Sequence, residues 1–296
     1  MAFPSSARGA RRAREGSWLW DRPGLVYPPE DAPDEKVPVS RARFLQRVSV
    51  VESRVSANDE WPYSIPFVRG LTLPFKSAVT FFVGENGSGK STLIEAIAEI
   101  CGLPVSGGGK TEGADSSGPE RHSVLGRALR PSFSERPRHA YFFRAEFQSH
   151  LASLLDQRRA DPDFWGDPYA RYGGRSLHAR SHGEAFLALL LNRLGSGLIL
   201  MDEPESALSP QRQLTLLARM HEMIEAGDTQ FIVATHSPIL LTYPGADIVT
   251  FDEAPLASIR LQDTSHYQIT RGVLEAPDRY WRLLTKQDRG EPDDSI

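Results

Sequence analysis

The sequence contains a single cysteine, Cys101, among its 296 residues. One thiol can form no internal disulfide, and no Cys/His grouping has the spacing of a zinc site, so a reducing compartment is favoured. Cys101 lies in the apolar stretch IAEICG, where we expect it to be a core residue. The cysteine content therefore predicts a cytoplasmic protein.

Long apolar runs are missing as well. The longest, AFLALLL at 185–191, is far shorter than the roughly 18–20 residues that a membrane-spanning helix needs. The Arg-rich opening, MAFPSSARGARRAREG, lacks the apolar segment of a secretory signal. We therefore expect no insertion into a membrane.

The chain has no excess of positive charge, since 34 Lys and Arg residues face 38 Asp and Glu residues. This balance argues weakly against a protein that coats nucleic acid, and a nucleic-acid partner is unsupported. No internal repeat and no heptad pattern are present. Long coiled-coil arms are therefore excluded.

Five prolines, from Pro23 to Pro38, and scattered charge fall in the second half of the first 40 residues. This composition predicts an unstructured leader over 1–40, followed by one folded domain over 41–296. Inside that domain, the stretch GLPVSGGGKTEGADSSGPE has little to bury. It predicts a flexible surface loop over about 103–120.

Strand-like and helix-like patterns alternate along the folded part. Strands are predicted near Phe44 and at the ranges 78–83, 140–143, 198–201, 231–234, 248–251 and 258–261. Helices are predicted at 93–101, 183–194 and 210–226, where apolar residues recur at helical spacing. Because the strands are apolar on both faces and alternate with helices, we expect an α/β fold with a largely parallel, three-layer sheet.

The strongest motif is GENGSGKST, which fits G-x-x-x-x-G-K-[ST] between a strand and a helix. Its glycines let the backbone wrap a phosphate with the N–H groups directed inward, and the following helix presents its positive N-terminus to the same anion. Lys90 is expected to reach the β- and γ-phosphates, and the Ser91 hydroxyl to coordinate Mg²⁺. The predicted nucleotide-binding residues are Gly84, Glu85, Asn86, Gly87, Ser88, Gly89, Lys90, Ser91 and Thr92.

Two adjacent acids follow the predicted strand at 198–201, in the segment LILMDEPESALSP. Parallel sheets place ligand sites at the carboxyl ends of their strands. Asp202 is expected to hold Mg²⁺ through water, and Glu203 to orient or deprotonate an attacking water. The sequence thus predicts a metal ligand and a catalytic base beside the phosphate loop.

Four segments resemble motifs of the ABC ATPase superfamily. DEP followed by SAL resembles its Walker B motif and D-loop. SHGEA, at 181–185, resembles the signature sequence, with Ser181 and Gly183 matching the serine and the second glycine. ATHSP places His236 after a strand, as in the family's switch histidine, and RAEFQ at 144–148 lies where the family keeps its Q-loop.

The resemblance runs from about Phe44 to Leu284. The chain resembles above all a group of bacterial stand-alone ABC-type ATPases. It implies a P-loop three-layer sandwich with a small antiparallel β part and a helical signature region. It also implies ATP and Mg²⁺ as cofactors and an ATP-dependent head-to-tail homodimer. Each ATP would then lie between the P-loop of one copy and Ser181 and Gly183 of the other, with His236 at the γ-phosphate or the water.

Two further assignments follow from the resemblance. Gln148 is the predicted Q-loop residue facing the metal, with Glu146 as the alternative. Tyr63 is the predicted aromatic that stacks on adenine, and Trp61 and Phe67 compete for that position.

Three kinds of function remain open at this point. The first is a soluble stand-alone ATPase that acts through an unknown partner, and the acidic signature SHGE favours it. The second is the nucleotide-binding subunit of a transporter. The third is an ATP-gated interaction module that does not hydrolyse ATP, which would not require Glu203 and His236.

The C-terminal stretch SHYQITRGVLEAPDRYWRLL is aromatic and amphipathic. Such a segment can dock a partner, but packing against the core is the favoured interpretation.

Overall fold

A computed structural model describes residues 40, 44–56, 60–109, 122–179, 182–193 and 196–286. The predicted leader lies almost entirely outside this range, as does the part of the predicted Gly-rich loop beyond residue 109. Within the described range no helix is both long and apolar enough to cross a membrane.

The described residues form strands and helices that are numbered here in chain order. The strands are β1 Leu45–Val50, β2 Thr72–Pro74, β3 Val79–Val83, β4 Gly108–Gly109, β5 Leu129–Phe133, β6 Ala140–Arg144, β7 Gly197–Asp202, β8 Thr229–Ala234, β9 Asp247–Thr250 and β10 Ala257–Ser258. The helices are α1 Lys90–Ile100, α2 Ala145–Ala160, α3 His182–Arg193, α4 Pro210–Glu225, α5 Ser265–Glu275 and α6 Pro277–Lys286.

The main sheet has seven strands in the order β10-β9-β3-β8-β7-β6-β4. Its five central strands, β9, β3, β8, β7 and β6, are parallel, while the short edge strands β10 and β4 pair antiparallel. The prediction of a largely parallel sheet is confirmed. Strands predicted far apart in the sequence, such as β3 and β8, are direct neighbours here.

The core lies on both faces of this sheet. Phe81, Met201 and Val233 point to one side, into a cluster that includes residues of α2, α3 and α4. Their sequence neighbours Phe82 and Leu200 point to the other side, where they pack with α1 and the smaller sheet. Since successive side chains of a strand alternate between faces, a strand apolar at every position must be covered twice. This confirms the predicted three-layer α/β sandwich.

A second sheet of three antiparallel strands, β2-β1-β5, packs over α1. It is tied to the main sheet by Gln230 of β8, whose buried side-chain oxygen accepts hydrogen bonds from the backbone N–H groups of Phe44 and Leu45 at 3.0 and 2.9 Å. This sheet is the small antiparallel part that the resemblance implied. Cys101 is buried in the same cluster, as expected.

Three sequence expectations need correction. Residues 103–109 of the predicted surface loop are structured, because Leu103 and Val105 are buried and Gly108–Gly109 pairs with β6. The strand predicted at 258–261 is only Ala257–Ser258 and is followed by a short 3-10 helix. Helix α2 was not predicted, since polar and apolar residues alternate along it without a clear apolar stripe.

The C-terminal segment forms two helices, α5 and α6, that pack against each other. A Cβ atom at Gly272 would collide with the hydroxyl of Tyr280, so the helices approach closely at this point. No residue of α5 is buried. The expectation of core packing was therefore wrong for the apolar side chains that remain exposed, namely Ile269, Val273, Leu274, Trp281, Leu283 and Leu284.

Candidate active site

Charged residues lie at the carboxyl ends of two neighbouring central strands of the main sheet. In the register of the sheet, Arg144 at the end of β6 lies beside Asp202 at the end of β7, and Asp202 lies beside Ala234 at the end of β8. The phosphate loop follows β3, the direct neighbour of β8. Ligands of open parallel sheets bind at this carboxyl edge. The fold therefore brings together the segments that the sequence singled out.

The phosphate loop needs glycine at positions 87 and 89 for its backbone conformation, and at position 89 also for space. Gly87 and Gly89 have φ angles of +81° and +97°, which side chains rarely adopt. A Cβ atom at Gly89 would also lie 2.8 Å from the ring of Phe67. Phe67 is buried at 4% exposure and packs edge-on against Phe251. Phe67 thus supports the loop from below and is not an adenine contact.

Lys90, the first residue of α1, is buried at 4% exposure beneath the loop. Its Nζ donates hydrogen bonds to the carbonyl oxygens of Gly84 and Glu85 at 2.7 and 2.9 Å. Burial lowers the pKa of Lys90, while surrounding carboxylates, chiefly Glu203 and Asp252, oppose that shift. An ammonium group in this setting is electrostatically prepared for a phosphate anion.

An open cavity of about 180 Å³ lies over the phosphate loop. The hydroxyl oxygen of Ser88 is buried and has no hydrogen-bond partner among the described residues. Buried polar atoms are nearly always paired, so a hydroxyl without a partner in this loop is compatible with phosphate binding. The cavity is lined by Trp61, Ile65, Asn86, Gly87, Gly89, Lys90, Ser91, Thr92 and Glu203.

The two predicted metal ligands, Ser91 and Asp202, are adjacent. The Ser91 hydroxyl donates to Oδ1 of Asp202 at 3.1 Å, while Nε of Arg144 lies 3.8 Å from Oδ2. Burial raises the pKa of Asp202, and Arg144 and the bond from Ser91 act in the opposite direction. The described residues hold no cluster of three or more His, Cys, Asp or Glu side chains suited to a metal. A hydroxyl and one carboxylate fit Mg²⁺ that is otherwise held by phosphates and water.

Glu203 has a left-handed backbone conformation, with φ 48° and ψ 55°. It is the one residue other than glycine with positive φ among the described residues. Its backbone N–H donates to the carbonyl of Ala234 at 2.9 Å, which holds this conformation in place. Strained backbone of this kind concentrates at functional sites.

His236 lies next to Glu203 at the end of β8. Its Nε2 atom is 3.6 Å from Oε1 of Glu203 and is buried without a hydrogen-bond partner in the described part of the chain. Its Nδ1 atom lies 2.8 Å from Nε2 of His266 in α5. Burial lowers the pKa of His236, and Lys90 and His266 lower it further, whereas Glu203 opposes them.

Two acidic residues hold the loops of the site in place. Oε1 of Glu205 accepts a hydrogen bond from the backbone N–H of His236 at 2.5 Å, which joins the segment after β7 to the segment after β8. Oδ1 of Asp252, just after β9, accepts from the backbone N–H of Glu85 at 2.7 Å. Both contacts fix backbone, so they shape the site without entering the cavity.

The aromatic at the cavity is Trp61, one of the alternatives considered above. Tyr63 is buried at 9% exposure, and its hydroxyl donates to the carbonyl of Val124 at 3.2 Å. Trp61 is 68% exposed and lines the cavity. The intervening turn directs Tyr63 into the core and away from the cavity, so Trp61 is the better placed of the two for an adenine contact.

The signature segment is described only in part. Ser181 lies outside the described residues, and so do the side chains of Glu146 and Gln148. Gly183 lies in the first turn of α3, where an added Cβ would be 2.8 Å from the carbonyl oxygen of Ala207 and 2.5 Å from Nη1 of Arg212. The signature helix therefore packs directly against the segment after Walker B.

Sequence reasoning missed four residues that organise this site: Arg144, Glu205, Asp252 and His266. Arg144 and Asp252 carried a usable signal, because each ends or follows an apolar strand on the edge where Asp202 lies. His266 carried none, since its contact with His236 joins segments that are 30 residues apart in the chain.

Two family models match parts of the chain. An AAA domain model matches residues 64–136, which include the phosphate loop. A second model, described as an AAA domain, putative AbiEii toxin, Type IV TA system, matches residues 185–242, which include Asp202 and His236.

Curated relatives are similar over a little more than half of the chain. The probable siderophore transport system ATP-binding protein YusV of Bacillus subtilis (strain 168) is 26% identical over 178 residues, or 56% of this chain and 64% of that protein. The hemin import ATP-binding protein HmuV of Streptomyces coelicolor is 29% identical over 191 residues, or 57% of this chain and 63% of that protein. The chain thus spans just under two thirds of the length of these relatives.

Solved structures with a related chain path include an inward-facing putative metal-chelate type ABC transporter, with TM-score 0.43, 15% identity, and coverage of 77% of this chain and 88% of that one. The SMC head domain from Thermotoga maritima aligns with TM-score 0.39 and 18% identity, covering 73% of this chain and 98% of that one.

The phosphate loop, the acidic pair after β7 and the histidine after β8 meet at one sheet edge. The two family models fall on these same segments, and the curated relatives are ATP-binding proteins of transport and import systems. In these segments the chain is similar to ABC-type P-loop ATPases.

Proposed function

We propose that this protein binds Mg-ATP and hydrolyses it to ADP and phosphate. The observation that carries the proposal is that Lys90 and Glu203 line one open cavity, while Asp202 and His236 lie beside them at the carboxyl edge of three adjacent parallel strands. Phosphoryl transfer needs positioned cations, a metal and an oriented water, and these side chains supply each function.

The phosphate loop and Lys90 bind the phosphates. Gly87 and the first residues of α1 line the cavity, and Lys90 exchanges its two carbonyl partners for phosphate oxygens. Ser91 and Asp202 hold Mg²⁺, with Gln148 as a third proposed ligand and Glu146 as its alternative. When bound, Mg²⁺ neutralises charge on the phosphates.

Glu203 and His236 act on the γ-phosphate side. Glu203 orients or deprotonates the attacking water. Its left-handed backbone sets the direction in which its side chain leaves the main chain. His236 donates from Nε2 to the γ-phosphate or the water, which gives that buried nitrogen the partner it otherwise lacks.

Two copies of the chain close head to tail around two ATP molecules. A cavity of about 180 Å³ is smaller than the roughly 300–1,000 Å³ of pockets that enclose a ligand, so much of a bound nucleotide remains uncovered. Ser181 and Gly183 of the second copy would cover it. Gly183 lies at the N-terminus of α3, where backbone N–H groups favour an anion.

The motion of this dimer is transmitted to a partner of unknown identity, in a stand-alone ATPase of the cytoplasm. A transporter subunit is the second candidate, and it is favoured by the names of the curated relatives, which are transport-system and import ATP-binding proteins. A gated module without hydrolysis is the third, and the presence of Glu203 and His236 argues against it. Steady turnover by the purified chain alone favours the first candidate, whereas turnover that appears only with a membrane permease favours the second.

The test uses wild type, Glu203→Gln and the control Glu225→Gln, which changes an exposed carboxylate at the end of α4. We expect Glu203→Gln to bind Mg-ATP, to lose turnover by about 100-fold or more, and to shift from monomer to dimer in size-exclusion chromatography with light scattering. Glu225→Gln should match wild type. Wild-type turnover by Glu203→Gln, or a mass that ignores ATP, would refute the base assignment or the shared site, respectively.

A further inference from the structure

His266 connects the active site to the C-terminal helices. It is the second residue of α5, whose N-cap Thr264 accepts a hydrogen bond from the backbone N–H of Tyr267. Its Nε2 atom lies 2.8 Å from Nδ1 of His236, and the two rings are 5.0 Å apart between centroids at an interplanar angle of 51°. This separation is that of a hydrogen bond between two imidazoles, so one ring donates and the other accepts.

The side chain of Ser265 is compatible with His266 as the donor. Its Oγ atom lies 3.4 Å from Nδ1 of His266. A hydroxyl that donates to Nδ1 leaves this nitrogen as an acceptor and places the proton of neutral His266 on Nε2. His266 then donates to Nδ1 of His236, and the proton of His236 must lie on its own Nε2 atom.

The opposite arrangement, in which His236 carries its proton on Nδ1, is disfavoured by the contact between His236 and Glu203. Nε2 of His236 is 3.6 Å from Oε1 of Glu203. A bare nitrogen lone pair there would face a carboxylate, whereas an N–H group there is attracted to it. The same N–H is the donor that a γ-phosphate oxygen requires.

We propose that His266 is a positioning residue that fixes His236 in the Nε2–H tautomer, through the relay Ser265 to His266 to His236. The inference rests on the proposed ATPase, because the value of that tautomer lies in the donor it offers to the nucleotide. Burial lowers the pKa of His236, which favours the neutral ring, and a neutral ring needs its tautomer selected.

The first experiment reads the tautomer without any turnover. Long-range ¹H–¹⁵N correlation spectra of the nucleotide-free protein, labelled at histidine, identify which nitrogen of His236 carries the proton. We expect Nε2–H in wild type, a mixture in His266→Ala, and Nε2–H again in His266→Gln, whose side-chain amide can donate in place of the imidazole.

The second experiment measures steady-state ATP turnover. We expect His266→Ala to lower kcat by about 10- to 100-fold with KM within about twofold, since correct proton placement contributes on the order of 100-fold or more. His266→Gln should recover most of kcat. The matched control is Gln268→Ala, on the same helix, whose side chain donates to the carbonyl of Gln262 and does not contact His236.

The outcomes separate this inference from the ATPase proposal. Nδ1–H in wild-type His236, or a tautomer unchanged in His266→Ala, overturns the relay whatever the activity. Equal loss of kcat in His266→Ala and His266→Gln with an unchanged tautomer shows a structural role only and also overturns it. A wild-type protein that neither binds nor hydrolyses Mg-ATP refutes the ATPase proposal, while the spectra still decide the tautomer.

Discussion

The backbone N–H of His236 donates to Oε1 of Glu205 at 2.5 Å and thereby ties the loop after β8 to the loop after β7. These loops carry the two groups proposed to act on the γ-phosphate side. Glu205 does not line the cavity. Its role is to set the distance between Glu203 and His236.

Glu205→Gln should keep this contact, because the amide oxygen accepts the same hydrogen bond. We expect its stability to be within about 1 kcal/mol of wild type, whereas Glu205→Ala leaves a buried N–H unpaired and loses about 1–3 kcal/mol. Thermal and urea unfolding of the three proteins measures these differences. Equal stability of Glu205→Ala and wild type would contradict the tie.

The same pair predicts a pH dependence. Burial raises the pKa of Glu205 above its ordinary 4.5, so the folded state binds the proton more tightly than the unfolded state. The stability contributed by this group is therefore greatest at acid pH and falls as the pH rises from 4.5 through the raised value. The difference in free energy of unfolding between Glu205→Gln and wild type should rise in favour of the variant over that window and be constant above it. A flat difference from pH 4 to 8 would contradict the shift.

Trp61→Ala should weaken ATP binding by about 5- to 150-fold, because stacking of an aromatic on a base contributes about 1–3 kcal/mol. Tyr63→Phe should leave affinity unchanged and lose only the hydrogen bond to Val124, about 1 kcal/mol of stability. Calorimetric titration with ATP measures both affinities. The reverse ranking would restore Tyr63 as the adenine contact.

Lys90→Ala should abolish measurable ATP binding. Hydrogen bonds to charged groups contribute about 1.5–3 kcal/mol each, and Lys90 is expected to make more than one to the phosphates. Lys76→Ala, which removes an exposed lysine, is the matched control. Wild-type affinity in Lys90→Ala would mean that the nucleotide binds elsewhere.

Two effects of Gly183→Ala on stability act in opposite directions. Helix propensity alone would stabilise α3 by up to about 1 kcal/mol. The structure places the new Cβ 2.8 Å from the carbonyl oxygen of Ala207, a backbone atom that cannot move aside as a side chain can. We expect a loss of about 1–3 kcal/mol and a lower melting temperature. A stabilised variant would show that the signature helix has room to move away.

Local patterns were sufficient for the phosphate loop, the strands of the main sheet and the acidic pair, because each depends on a few consecutive residues. Tyr63 and Trp61 could not be told apart, since they differ only in which way one turn directs them. The pairing of Gly108–Gly109 with β6 was hidden because glycines carry no apolar signal. His266 required the folded chain, as its partner is brought to it by the sheet.

The backbone of Glu203 has a consequence for engineering. A left-handed conformation disfavours a residue with a Cβ by roughly 1–2 kcal/mol, and glycine or asparagine accepts it more readily. A selection for heat resistance alone would therefore tend to enrich Gly or Asn at position 203 and discard the proposed base. Thermostable variants of this protein should be screened for turnover in the same round, with position 203 held fixed.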